Sequence, residues 1–361
     1  MAVPAAHALY QQEFDIDWAC GKAVQPLLEC YSWINLIPAD DKAILTGGAW
    51  ARIRNIASLW RRIGLKQYDL CAILYYDFRY KLLIFPVRAR RKRMLARGSR
   101  SSVLLPGRHH TDEYTRVLLE IEDGCHETST PPVRPDRLPP SPLHGKDARY
   151  RIALVPGAAK HLIREQASGR LPEQVLRRWP VDNYVVLTRQ ILARGWEVVL
   201  LGGPDDAWVR PYFEGLDVTD VIGRLSLPEV VSACEASDAV ITHDTGPLHL
   251  AGLSTTCLIG IFGPTDPGTR VPRRAYAMGI WGGQGFACRP CYDGRDFAPC
   301  RHNGCMDQVT PELVLHELDR LLHDRAEQIP YPWRVVVPEA GPAHAANPEL
   351  ISIPSKVMKL Q

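Results

Sequence analysis

The stretch "DAVITHDTGPLHLAG" occupies residues 238–252. Its apolar run ends at His243-Asp244-Thr245-Gly246-Pro247, and a helical pattern resumes at once. A short apolar run bounded by turn residues and followed by a helix is the βα step of a parallel sheet covered on both faces. Pro247 suits the first helical turn, where its missing N–H would have been unpaired anyway. Thr245 and Gly246 then leave backbone donors facing outward at a helix start, where the dipole favours an anion. Gly246 lets a phosphate come close, and the Thr245 hydroxyl adds a donor. His249, three residues on, lies one turn down on the same side. The junction reads as an anion site; the plainer reading is a capped helix with a packed histidine.

The same rhythm runs outward in both directions. From residue 149 to 328, strands are predicted at 150–157, 197–203, 218–223, 238–242 and 257–263, with helices near 181–194, 205–214, 228–236, 246–253 and 311–323. From residue 1 to 126, strands at 16–20, 33–38, 68–76 and 102–106 alternate with helices at 50–64 and 111–121. Residues 127–148 contain six prolines and little that could pack, so they are an extended linker. The expected architecture is α/β, with two Rossmann-like doubly wound domains around a cleft at the C-terminal ends of their strands, where open α/β sheets bind ligands. The tail, 329–361, has no periodicity; its apolar beginning is expected to pack and its end to be mobile.

Composition bounds the function. A chain of 361 residues with 46% hydrophobic and 23% charged residues is that of a globular protein. No apolar run approaches the ~18 residues of a membrane span, and "MAVPAAHALYQQ" lacks the basic and apolar regions of a secretory signal. A cytoplasmic location is expected. Six of the ten cysteines are scattered in apolar patterns and read as small buried hydrophobes. The net charge of +3 conceals seven basic residues and no acid between Arg88 and Arg100. That run could face an anionic substrate or anionic lipid at a membrane surface, or simply be a solvated basic helix. Nucleic acid is the weaker reading, since aromatic residues are not interleaved there.

Three further loops lie at predicted strand ends. Gly157 and Ala158 follow the strand at 150–157, and the long loop after them closes with Arg177-Arg178-Trp179-Pro180. Arginine holds phosphate bidentately, although these two could be solvated charges at a helix entry. "LGGPDDAW" places Asp205 and Asp206 where an acid suits ribose hydroxyls, or caps a helix. "FGPTDPGTR" places Thr265 and Asp266 beside the first loop, as ligand contacts or as a tight turn.

The order of RRWP, GGPDD, SLPE (226–229), DTGPLHLAG (244–252), FGPTDP (262–267) and CRPCY (288–292) resembles glycosyltransferase family 9, the ADP-heptose:lipopolysaccharide heptosyltransferases. The resemblance implies a GT-B fold, with the nucleotide-sugar donor on the C-terminal domain and no required metal. It implies that Thr245, Gly246 and His249 bind the donor pyrophosphate and that Asp244 holds the loop or the departing sugar. Arg178 or Arg177 would take the phosphate-binding Lys/Arg position, and Asp206 or Asp205 the ribose acid position. The implied reaction moves heptose from ADP-heptose to a lipopolysaccharide-core or related anionic glycolipid.

Family members begin with a strand and a glycine-rich GD loop whose aspartate is the general base, whereas residues 1–12 here match the helix that follows. The first strand and that aspartate are therefore expected upstream of Met1. Asp77, ending the strand at 68–76, is the remaining acid facing the cleft, with acceptor binding or strand-end solvation as its plainer roles. Without the base, a non-catalytic nucleotide-sugar binder is an alternative, as is a nucleotide-sugar epimerase of GT-B architecture. Cys288, Cys291, Cys300 and Cys305, spaced C-x2-C-x8-C-x4-C, form a candidate structural zinc set.

Overall fold

The computed structural model describes residues 1–75, 79–95, 108–119, 131–145, 147–158, 171, 173–292 and 297–338. Its centre is a seven-stranded, wholly parallel sheet. The strands are β5 (Arg151–Leu154), β6 (Glu197–Leu200), β7 (Val218–Asp220), β8 (Ala239–His243), β9 (Cys257–Phe262), β10 (Ala277–Trp281) and β11 (Arg334–Val336). They lie in the order β11-β10-β9-β8-β5-β6-β7. The chain winds from β5 out to β7, then returns to start the other half at β8. The crevice between the ends of β5 and β8 is thus the topological switch point, where such sheets bind ligands.

Both faces are covered because successive side chains point to opposite sides. Ile152, Leu154, Val198, Leu200, Ile241 and Ile259 enter one core layer, and their neighbours Ala153, Val155, Val199, Leu201, Val240 and Leu258 enter the other. The predicted helix at 205–214 is a 3-10 helix, Pro204–Phe213. Two strands escape the sequence reading. β10 carries Gly279, where a Cβ would stand 2.6 Å from Pro267 Cβ, so its glycine serves close packing. β11 is three residues long and lies in what reads as tail, yet Trp333 and Tyr331 pack beside it onto the two core layers.

Ahead of this sheet stand two parallel ladders. β1 (Ile16–Gly21) pairs with β2 (Ile34–Ala39), and β3 (Gln67–Ile73) with β4 (Arg88–Met94). The helix Ala49–Ile63 buries Leu59 and Ile63 with Val87 against Ile37, Tyr68 and Ala89. β4 rules out the plain alternative of a solvated basic helix for Arg88–Met94, which is extended because pairing with β3 overrides the helix preference of Arg and Lys. The strand expected at 102–106 lies outside the described residues.

The proline-rich stretch 131–145 has no helix or strand. It is nonetheless held at both ends: Val133 O accepts from the Tyr31 hydroxyl, Asp136 Oδ2 from Ser32, Pro139 O from Ser232, and the carbonyls of His144 and Gly145 from Arg151. The helix His110–Leu119, early in sequence, packs on the helix Val3–Tyr10 and reaches the large sheet's side through His109, His110 and Asp112.

Candidate functional site

The segment Arg177-Arg178-Trp179-Pro180 is positioned by its third residue. Trp179 is fully buried and its Nε1 donates to Val309 O at 2.7 Å. The Asn303 side chain donates to the carbonyls of Val175 and Arg178 and pins the backbone beside it. The two arginines, anchored in this way, reach different loops. Arg177 Nη1 donates to Asp244 O at 3.0 Å, stands 3.9 Å from Asp244 Oδ2, and lies over the Phe297 ring. Arg178 Nη2 reaches Ala158 O at 3.4 Å and its guanidinium stacks 4.5 Å from the Trp208 ring centroid. Burial lowers the Arg178 pKa somewhat, against the attraction of Asp206.

Asp244 is the junction of this edge. It is 4% exposed, accepts from the Thr265 hydroxyl at 2.8 Å through Oδ2, and takes Arg177 on its carbonyl. The loops after β8 and β9 and the RRWP segment are thereby joined at one residue, through its carboxylate and its carbonyl. The Thr245 hydroxyl donates to His243 O at 3.3 Å rather than capping the helix Gly246–Ala251. Gly246 is exposed, and a Cβ there would meet nothing within 4 Å, so the helix start opens onto free space.

One step back, His243 carries a role that sequence reasoning missed. The imidazole is fully buried at the end of β8. Its Nε2 donates to Gly157 O at 2.8 Å and its Nδ1 accepts from the Tyr184 hydroxyl at 3.0 Å, so β5's terminal loop is tied to β8's. Burial pushes its pKa down to about 3, with the nearby Arg178 and Arg177 also opposing protonation. No local pattern announces this role, since its partners are 59 and 86 residues away.

Gly157 has a steric reason to be glycine: a Cβ would stand 2.3 Å from Asp206 Cγ. Asp206 is buried and accepts from Gly203 N at 2.8 Å, which closes the turn after β6. Gly157, Arg178 and Asp206 are therefore brought together, with Asp206 acting as a turn cap. Asp205 is exposed on the adjoining 3-10 helix. Asp266 also caps a turn, accepting from Gly268 N at 2.8 Å.

His249 faces another way. It lines a cavity of about 130 Å³ with Tyr31, His109, Arg270, Pro272 and Arg273, between the two parts of the chain. Burial, with the positive charge of Arg270 and two further imidazoles near it, holds its pKa well below the usual value. As a neutral imidazole it offers an anion a hydrogen bond and no charge.

The four clustered cysteines are free thiols, with Cys288 exposed. Among the described residues, no three His, Cys, Asp or Glu side chains are already arranged to hold a metal ion. Cys305 is turned inward instead: a Cβ on Gly263 would meet its Sγ at 2.6 Å, and one on Gly282 its carbonyl oxygen. Burial, then the neighbouring thiols, push Cys305 up to about 12 and Cys291 up to about 11. Asp77 lies outside the described residues.

A family model for glycosyltransferase family 9 (heptosyltransferase) matches residues 56–300. The chain belongs to that family. It is 28% identical over 162 residues to lipopolysaccharide heptosyltransferase 2 of Escherichia coli K12, covering 40% of this chain and 43% of the relative. It is 22% identical over 268 residues to the lipopolysaccharide core heptosyltransferase OpsX of Haemophilus influenzae, covering 72% and 73%. The chain thus spans less than half the length of the first curated relatives it matches. In fold it is similar to the E. coli ADP-heptose LPS heptosyltransferase II, with a TM-score of 0.63 at 20% identity over 90% of this chain and 95% of that one. It is also similar to the E. coli heptosyltransferase WaaC with ADP, with a TM-score of 0.60 at 15% identity over 89% and 95%. The GT-B architecture of this family member is that of two α/β parts around a cleft, as the alternating pattern implies.

Proposed function

We propose that the chain is a glycosyltransferase, moving heptose from ADP-heptose to a lipopolysaccharide-core or related anionic glycan on the cytoplasmic side of a membrane. The observation that carries this reading is the Asp244 junction, which joins Arg177, Thr265 and the open helix start at Gly246 at the switch point of the sheet. Relatives named as heptosyltransferases, and a fold neighbour solved with ADP, support the donor class.

The chemistry follows from the groups present. An acceptor hydroxyl attacks the anomeric carbon, the bond from that carbon to the diphosphate oxygen breaks, and the diphosphate leaves with the electron pair. Charge that develops on the leaving oxygen is met by Arg177, Arg178 and the N–H groups of Thr245 and Gly246, fixed beforehand by Trp179 and Asp244. The hydroxyl proton passes to a general base on the acceptor side.

Calorimetric titration of ADP into the wild-type chain and into Arg178→Ala tests the donor site. The substitution should weaken binding by about tenfold or more, the usual cost of losing a hydrogen bond to a charged group. Equal affinities would overturn the site assignment. An assay with ADP-heptose alone separates transfer from epimerisation, since an epimerase needs no acceptor.

A further inference from the structure

The helix Ala49–Ile63 presents an unusual outer face. Leu59 and Ile63 point into the core. At 3.6 residues per turn, Trp50 and Ala57 lie roughly opposite them and Ile53 on the adjoining flank, where a surface helix is ordinarily polar. Trp50 is 83% exposed and Ile53 59%. The stripe continues through Trp60, whose ring centroid is 5.9 Å from that of Phe85 and whose Nε1 donates to Leu82 O. Phe85 is 73% exposed and Leu82 52%. Four large apolar side chains thus stand in solvent along two adjoining elements, which singly needs no explanation but as a row does.

The charge around them has one sign. Residues 49–95 hold twelve Lys or Arg and two Asp or Glu, in a chain whose net charge is +3, so the remainder of the chain is acidic. Arg54 and Arg61, both exposed, lie on the helix face that carries Trp50 and Ala57. On β4, Ala89 packs towards this helix, so Arg91 and Arg93 share its side by alternation and are exposed beyond it.

We infer that this face docks on an anionic lipid bilayer, with Trp50, Ile53, Leu82 and Phe85 entering the interface and the arginines meeting the headgroups. Apolar anchors beside Lys and Arg are the composition of an interfacial helix. A second copy of the chain is a poor occupant, because two faces of the same high positive charge repel. Nucleic acid satisfies the charge but buries no aliphatic side chains such as Ile53 and Leu82. Among the described residues no helix is long and apolar enough to cross a membrane, so the contact is peripheral. The surface is separate from the donor loops and the inference does not rest on them.

The test is co-sedimentation of the full chain, without nucleotide, with phosphatidylcholine vesicles that contain or lack phosphatidylglycerol. Binding is expected only to the anionic vesicles, and to weaken as salt rises and screens the charges. Trp50→Ser/Ile53→Ser should reduce it by about tenfold or more, with an unchanged melting temperature because both side chains are exposed. Arg54→Ser/Arg61→Ser should reduce it independently. No binding to anionic vesicles overturns the inference, and so does binding that survives the Trp50/Ile53 change. Tight binding of single-stranded RNA, insensitive to Trp50 and Ile53 and displacing vesicles, would reassign the face to nucleic acid.

Discussion

At the scale of single residues, the loops at the switch point are held by groups set back from the open helix start. His243 is the clearest case. A protonated imidazole cannot accept from Tyr184, and its charge would sit in the core beside two arginines. Its pKa is therefore about 3 when folded, against an ordinary value near 6.5. Between those values the unfolded chain binds the extra proton, so stability is fully present above about pH 6.5 and is lost as pH falls. From pH 7 to pH 5 this one group should cost about 2 kcal/mol. His243→Gln keeps a donor for Gly157 O and does not titrate. Urea melts at both pH values should show the variant losing about 2 kcal/mol less than the wild type over that interval; equal losses would mean that His243 is not held neutral by the fold.

Among the elements, the RRWP segment shows why a tryptophan separates charge from structure. With Trp179 in the core and its N–H on Val309 O, the flanking backbone is fixed and Arg177 and Arg178 are pre-aimed at two loops. Trp179→Phe keeps most of the buried area but leaves that carbonyl unpaired, so a loss of about 1–3 kcal/mol is expected. ADP affinity should fall as well, because the arginines lose their fixed origin; denaturation with calorimetry reads both. A stability loss with unchanged ADP affinity would show that the anchor serves the fold alone. The elements themselves were legible where burial repeats in the chain: β5, β6, β8 and β9 are continuous apolar runs because both their faces are covered. β4, β10 and β11 were not, since one is a row of arginines recruited by its neighbour, one is interrupted by a packing glycine, and one is a short edge. The site was legible as a set of loops. Its internal wiring, Thr265 to Asp244 and His243 to Gly157, was not, because such pairs depend on which strand ends become neighbours.

For the whole molecule, the question is what joins its two parts across the cleft. The helix His110–Leu119 precedes the proline-rich stretch in sequence but is fastened to the loop after the 3-10 turn Pro267–Thr269. His109 Nε2 donates to Val271 O, Arg270 donates to His110 Nδ1, and Arg273 meets Asp112 at 2.7 Å with both side chains almost wholly buried. Burial and the adjacent arginines push His109 down to about 4 and His110 down to about 3, so both imidazoles are neutral here and the arginines keep the charge. The Arg273–Asp112 pair therefore carries the buried ionic link, and a buried pair is costly to break from one side. Asp112→Leu alone should destabilise by about 3–5 kcal/mol because it strands the guanidinium, and Arg273→Met alone should do the same to the carboxylate. Removing both leaves no uncompensated charge, so Asp112→Leu/Arg273→Met should recover most of that loss. Urea unfolding of the four proteins forms the cycle. If the double variant is as unstable as the sum of the singles, the pair is not coupled and the two parts are held together by the helix packing alone.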